Sequence, residues 1–251
     1  MVYRLRQLLG LHIKAADGEI GKVTDVYFDD HSWTVRYLVV ETGDFFANRK
    51  VLLSPIAVSA IDWDSSEVHV KLKIAQVKAS PPIDTDKPVS RQHEADYFDY
   101  YGYPYYWTDP SLFRSAVSLV NPTGPGPAER NASGVRSELP FDPRLRSAKE
   151  VTGYGLEATA EPIGHVEDFL LDSITWVIRY LVVDTRNWLP GKHVVIPAAW
   201  IKEVKWDDNT VCVDVSVESV RHAPEFDSNT EFSRANEISL YRHYERDAYW
   251  Q

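Results

Sequence analysis

Asp25 with Arg36, and again Asp168 with Arg179, are the residues of this chain whose types and spacing come closest to a chemical site. A carboxylate held against a guanidinium inside a cavity can grip an anion or steer a proton. The same pair on a strand surface is an ion pair that contributes about 0–1 kcal/mol. Both pairs span 11 residues across a short polar turn, Asp29-Asp30-His31-Ser32 in the first case, which is the spacing of cross-strand neighbours in a hairpin. We therefore assign Asp25, Arg36, Asp168 and Arg179 as structural ion pairs that set register.

The remaining reactive residue types form no site by spacing. Histidines at 12, 31, 69, 93, 165, 193, 222 and 243 show neither His-x-His nor HExxH spacing, so no metal ligand set is assigned. Cys212 alternates with Val211 and Val213, which makes it a strand-face bystander rather than a nucleophile. Gly153-Tyr154-Gly155 lacks the third glycine of a dinucleotide loop and follows a helical segment, and Asp207-Asp208-Asn209 is a turn too short for a calcium loop. No catalytic residue, cofactor or metal is assigned, and the protein is expected not to be an enzyme.

These residues sit within a repeat. Gly21 and Gly164, Trp33 and Trp176, and Tyr37 and Tyr180 are each 143 residues apart, with Ile20–Val40 answered by Ile163–Val183 without insertion. Each copy opens with a short helical segment: Leu5, Leu8 and Leu9 lead to Gly10, and Ser147-Ala148-Lys149-Glu150 forms a capping signal before Gly153. A hairpin follows, with Phe28 expected opposite Trp33, Val26 opposite Val35 and Asp25 opposite Arg36, and with Leu171 opposite Trp176 and Asp168 opposite Arg179 in the second copy. Both faces of this hairpin are apolar, which suits a small barrel covered on its outside. Strands around Val51–Leu53 and His193–Ile196 end at Pro55 and Pro197, and a last hairpin turns at Asp64-Ser65-Ser66 or Asp207-Asp208-Asn209.

Beyond each barrel, a helix capped by Ser90 or Ser233 runs into aromatic residues. The expected order is a barrel at 1–80, its helix and aromatic tail at 81–107, a Pro/Gly-rich linker at 108–140, a second barrel at 141–222 and its own tail at 223–251. On this plan the half from about 140 to 251 folds alone. The 8 Trp and 14 Tyr need partners, and the tails are expected to fold back on their barrels while offering some rings outward. Tyr103, Tyr105, Tyr106, Trp107, Trp188, Tyr249 and Trp250 are the candidate partner surface.

A formal net charge of -10 opposes a phosphate backbone over most of the surface, and no Lys/Arg run marks a local exception. Direct nucleic-acid binding is not expected. One cysteine rules out an intrachain disulfide, and no run approaches the ~20 apolar residues of a membrane span, so the expectation is a cytoplasmic protein.

The Ile-Gly pairs at 20–21 and 163–164, and the Arg-Tyr-Leu-Val-Val runs at 36–40 and 179–183, resemble the PRC-barrel family. The second copy carries the fuller match, in Val182-Val183-Asp184-Thr185, Asn187-Trp188-Leu189-Pro190-Gly191-Lys192, Val195-Ile196-Pro197 and Trp200-Ile201, which are similar to bacterial PRC-barrel proteins. The first copy has Asp44-Phe45-Phe46-Ala47-Asn48 where the second has its Trp-Leu-Pro-Gly loop. The resemblance covers about 1–80 and 144–222. It implies a mainly β fold of two small barrels in tandem with short flanking helices. It also points to two settings of that fold, the cytoplasmic part of the photosynthetic reaction centre H subunit and the C-terminal domain of the ribosome maturation factor. The expected function is a non-enzymatic protein-interaction or assembly module with a protein partner, a homo-oligomer being compatible. The alternatives are an accessory factor in ribosome assembly or RNA processing, and a soluble assembly factor for a photosynthetic-type membrane complex.

Overall fold

The computed structural model describes residues 2–43, 49–81, 83, 89, 91–108, 116–117, 144–185 and 192–250, with Arg91 and Gln92 described by backbone alone. Among the described residues the two copies build the same sheet. In the first, strands β2 (His12–Ala15), β3 (Gly18–Asp29), β4 (Thr34–Thr42), β5 (Lys50–Leu53), β6 (Val58–Asp62) and β7 (Glu67–Val70) pair in the order β5-β4-β3-β2-β7-β6. The two ends of this path, β5 and β6, are consecutive in the chain and are joined by one 3-10 turn, Pro55–Ala57. The β2–β7 pairing is parallel and the others are antiparallel, which brings the last hairpin back beside β2, the first strand of the path in chain order.

The second copy repeats this with β9 (Gly155–Ala158), β10 (Glu161–Asp172), β11 (Ile178–Asp184), β12 (His193–Pro197), β13 (Ile201–Lys205) and β14 (Thr210–Val213), in the order β12-β11-β10-β9-β14-β13. The chain is mainly β, as the resemblance implied. Among the described residues no helix is long and apolar enough to cross a membrane.

A seventh strand in each sheet was not foreseen, and it changes the domain boundaries. Strand β1 (Val2–Arg4), at the start of the chain, pairs antiparallel with β10 of the second copy, Tyr3 standing opposite Leu171. Strand β8 (Leu145–Ser147), just ahead of the second copy, pairs with β3 of the first. The compact units are accordingly Met1–Gln7 with Ser147–Gln251, and Leu8–Arg146. The expected boundaries of 1–80 and 141–222 give way to a reciprocal exchange of leading strands. A three-residue strand has too little pattern of its own to announce its partner in a sequence.

The hairpin register also differs from expectation, and identically in both copies. Asp25 stands opposite Val39, Val26 opposite Leu38 and Phe28 opposite Val35; Asp168 stands opposite Val182, Phe169 opposite Leu181 and Leu171 opposite Ile178. Two bulges cause the shift. One makes Thr24 or Glu167 the extra residue of the first strand, and the other makes Arg36 or Arg179 the extra residue of the second. At the turn, Trp33 and Trp176 take left-handed backbone (φ 53 and 56), which an alternation pattern does not reveal. The Trp33 ring still stacks on Phe28, with centroids 5.1 Å apart, although the two residues are not cross-strand partners.

The Ile-Gly pair has a steric cause. A Cβ on Gly21 would lie 2.1 Å from the Glu41 carbonyl oxygen, and one on Gly164 would lie 2.2 Å from that of Asp184. The second strand crosses so closely there that only glycine fits. Beyond this crossing both faces of β4 are buried. Leu38 and Val40 alternate with Tyr37 and Val39, and the latter two pack with Leu52, Ile56, Tyr97 and Phe98 beneath the helix Arg91–Tyr101.

Candidate functional site

The bulged arginines lead to the most developed polar constellation in each unit. A bulge turns its extra residue out of the normal alternation, so Arg36 lies beside the barrel rather than across from Asp25. Arg36 is 4% exposed, its guanidinium sits over the Tyr106 ring at 3.9 Å from the centroid, and it donates to the Ser32 hydroxyl. Burial pulls this guanidinium below its usual pKa, with Tyr106 and Asp29 acting in the other direction. Tyr106 in turn donates to Glu94 Oε1 at 2.7 Å, and Tyr37 donates to the same oxygen at 2.8 Å. Glu94 is fully buried, so these hydroxyls solvate a carboxylate that water does not reach. Burial, followed by the Glu94 charge, raises the Tyr37 hydroxyl well above its ordinary pKa, so it is a donor at any physiological pH.

The second unit repeats the arginine, both tyrosines and the glutamate. Arg179 lies over the Tyr249 ring at 4.4 Å, Tyr249 and Tyr180 donate to Glu237 Oε1 at 3.1 and 2.6 Å, and Glu237 is 2% exposed. Arg234 closes the second version with a 2.7 Å contact to Glu237 Oε2 and a guanidinium 4.2 Å from the Trp250 ring centroid. Glu94 and Glu237, the centres of the two constellations, carried no sequence signal beyond a place in the first turn of an amphipathic helix.

The four assigned ion-pair residues are each engaged, but not with one another. Asp168 is held by Arg4 Nε at 2.9 Å, by Arg6 Nε at 3.1 Å and by the amides of Arg6 and Phe169. Burial lifts its carboxyl above the usual range while these donors pull it back. Arg179 pairs with Asp172 at 3.5 Å, and Asp25 accepts from the Val26 amide at 2.7 Å. The assignment of Asp25 with Arg36 and Asp168 with Arg179 is thus corrected. The bulges move each arginine off the row of its expected aspartate.

The tails fold back on their own barrels. Tyr106 is buried, whereas Tyr103, Tyr105 and Trp107 are half-buried around Phe98, with Tyr105 and Trp107 stacked at 4.7 Å and 13°. Tyr249 keeps 40% of its surface exposed and Trp250 packs on Tyr241 at 5.2 Å. Trp188 and Ser90 lie outside the described residues, as do the loops 44–48 and 186–191. Ser233 caps its helix as expected, and Ser147 accepts from the Glu150 amide.

Cys212 lies 3.6 Å from Glu157 Oε2, which also pairs with Lys205, and desolvation raises the thiol above its usual pKa, an unreactive setting. The histidines behave differently from expectation in one place. His165, Asp184 and His193, far apart in sequence, are lateral neighbours on β10, β11 and β12, and one donor atom from each of Glu167, Asp184 and His193 lies within 4.8 Å of the others.

Comparison with known proteins returns one family. The PRC-barrel domain model matches residues 1–78 and 154–220, together more than half of the chain. No curated protein matches the chain. A duplicated six-strand path, the glycine-gated crossing and the family match agree, and the chain belongs to the PRC-barrel domain family, which it carries in two copies.

Proposed function

We propose that the protein is a non-enzymatic interaction or assembly module of the cytoplasm, each barrel holding a rigid aromatic tail for a protein partner. The observation that carries this reading is the parallel Tyr105–Trp107 pair, half-buried and fastened at its base by the Tyr106–Glu94 hydrogen bond. Rings fixed in this way present apolar area whose rotamer freedom has already been lost, and tyrosine and tryptophan dominate the energetic centres of protein interfaces. The buried carboxylates and arginines are engaged in holding the tails, which supports a structural rather than catalytic use. The net charge of -10 favours a protein partner over an RNA one.

The test is cross-linked co-purification of the tagged chain, compared with a Tyr105→Ser/Trp107→Ser variant whose circular dichroism matches the parent. The expected result is a protein partner recovered with the parent and lost with the variant. Recovery of ribosomal subunits would favour the ribosome-assembly alternative, and recovery of an integral membrane complex the membrane-assembly alternative. A partner set indifferent to the variant would remove the tails from the interface.

A further inference from the structure

Three adjacent strands of the second barrel carry His165, Asp184 and His193 in one row: His165 is the cross-strand partner of Asp184, and Asp184 that of His193. Neighbours across a ladder point to the same face. The two imidazole Nε2 atoms accordingly flank one carboxylate, at 3.8 and 4.0 Å from Asp184 Oδ2. Both distances exceed a hydrogen bond, and of the two imidazoles it is His193 that has a donor atom within 4.8 Å of both Glu167 and Asp184. Glu167 completes the cluster because the bulge that makes it the extra residue of β10 swings its carboxylate across to His193, with Oε2 2.8 Å from Nε2. Its other oxygen is held by Arg6 at 3.2 Å, which fixes the carboxylate with Oε2 aimed at the imidazoles.

The first barrel supplies the internal control. The same row there is Lys22, Glu41 and Lys50, in the same register, and Thr24 stands at the bulge. That row is an alternation of fixed charges, and the barrel folds with it. The second barrel has replaced both ammonium groups by imidazoles and the threonine by a carboxylate. A lysine offers only a charge at neutral pH, whereas an imidazole offers a lone pair, and one imidazole with two carboxylates forms a three-ligand set suited to zinc with a fourth position open.

We propose that Glu167, Asp184 and His193 form a binding site for a borderline divalent cation, zinc in the first instance, on one face of the second barrel, with His165 at its edge beside Asp184. Zinc with Zn–N and Zn–O bonds of about 2.0–2.2 Å places its ligand atoms roughly 3.3–3.5 Å apart. Among Glu167, Asp184 and His193 the 2.8 Å contact opens slightly and the 4.0 Å separation closes by about half an ångström, movements within the reach of side-chain torsions. Asp184 is fully buried, while the His165 and His193 side chains keep 38% and 29% of their surface, so the cation enters from the histidine side. Bound there, it ties three neighbouring strands together through their side chains.

The experiment uses the full chain, stripped with chelator and titrated with zinc chloride by calorimetry, with metal content measured after gel filtration. One zinc per chain and a thermal midpoint that rises with zinc concentration are expected. His165→Lys/His193→Lys, which installs the residues of the first barrel's row, is expected to fold and to lose zinc affinity by more than about tenfold. Glu167→Thr, again the first barrel's residue, is expected to weaken binding and serves as the second variant if the lysine pair does not fold. Absence of stoichiometric zinc in the parent overturns the proposal. So does binding that survives these variants undiminished, since the cation would then sit on other histidines such as His12 beside Glu19 or His69 beside Glu67.

Discussion

The Tyr97 hydroxyl accepts a hydrogen bond from the Ser54 backbone amide at 2.8 Å, and both residues are buried. At the same two positions, 143 residues on, stand Leu240 and Pro197. The second barrel has no amide hydrogen there and no hydroxyl to receive one. The two copies therefore hold alternative solutions to one requirement, that a buried N–H have an acceptor.

Tyr97→Phe should cost about 1–3 kcal/mol in chemical denaturation, because the Ser54 amide is left buried without its acceptor. Replacing both residues by the second copy's pair, Ser54→Pro with Tyr97→Leu, should cost less than the sum of the single changes. A double-mutant cycle with no coupling between positions 54 and 97 would contradict the compensation.

The exchanged strand makes the start of the chain part of the second barrel. Arg4→Ala with Arg6→Ala should destabilise that unit by about 3–5 kcal/mol, since it strips the buried Asp168 of both cations. Hydrogen exchange should show the loss of protection in Glu161–Asp172, far along the chain from the mutations. A fragment beginning near 140, expected from the repeat pattern to fold alone, lacks β1 and should be less stable than the same segment in the full chain. Equal stability of the two would make the strand exchange dispensable.

The tail clamps predict a graded response. Tyr106→Phe removes one hydrogen bond to the buried Glu94 and should cost about 1.5–3 kcal/mol. Tyr249→Phe, whose contact to Glu237 is longer at 3.1 Å and whose ring is 40% exposed, should cost less. Thermal denaturation of the two variants side by side checks the order.

Alkaline titration should unfold the chain as it ionises the tyrosines. Burial raises Tyr101 and Tyr241 each from 10.0 to about 12. The folded state holds protons that the unfolded chain releases near 10, so this contribution to stability is complete below that pH and is lost as pH climbs toward 12. Tyrosinate absorbance and loss of ellipticity should appear together above the ordinary tyrosine range. Smooth ionisation near 10 with the circular dichroism intact would show the rings to be solvent-accessible.

Much of the architecture was legible in residue types. The repeat at an offset of 143 is a match of residue types, and the apolar character of both hairpin faces and the caps at Ser147 and Ser233 follow from local pattern, because each is imposed within a few residues or within one hairpin. What only the tertiary structure decided lies at longer range. The bulges at Thr24 and Arg36, and at Glu167 and Arg179, shift the ladder without altering the alternation that a pattern detects, so the expected partners of Asp25 and Asp168 were wrong while the hairpins themselves were right. The pairing of Val2–Arg4 with the second barrel depends on which sheet edge is open, and that is set only when both sheets exist. Glu94 and Glu237 became centres because two tyrosines from distant elements converge on each. His165, Asp184 and His193 share a row because three strands align them, a proximity that no spacing along one strand encodes.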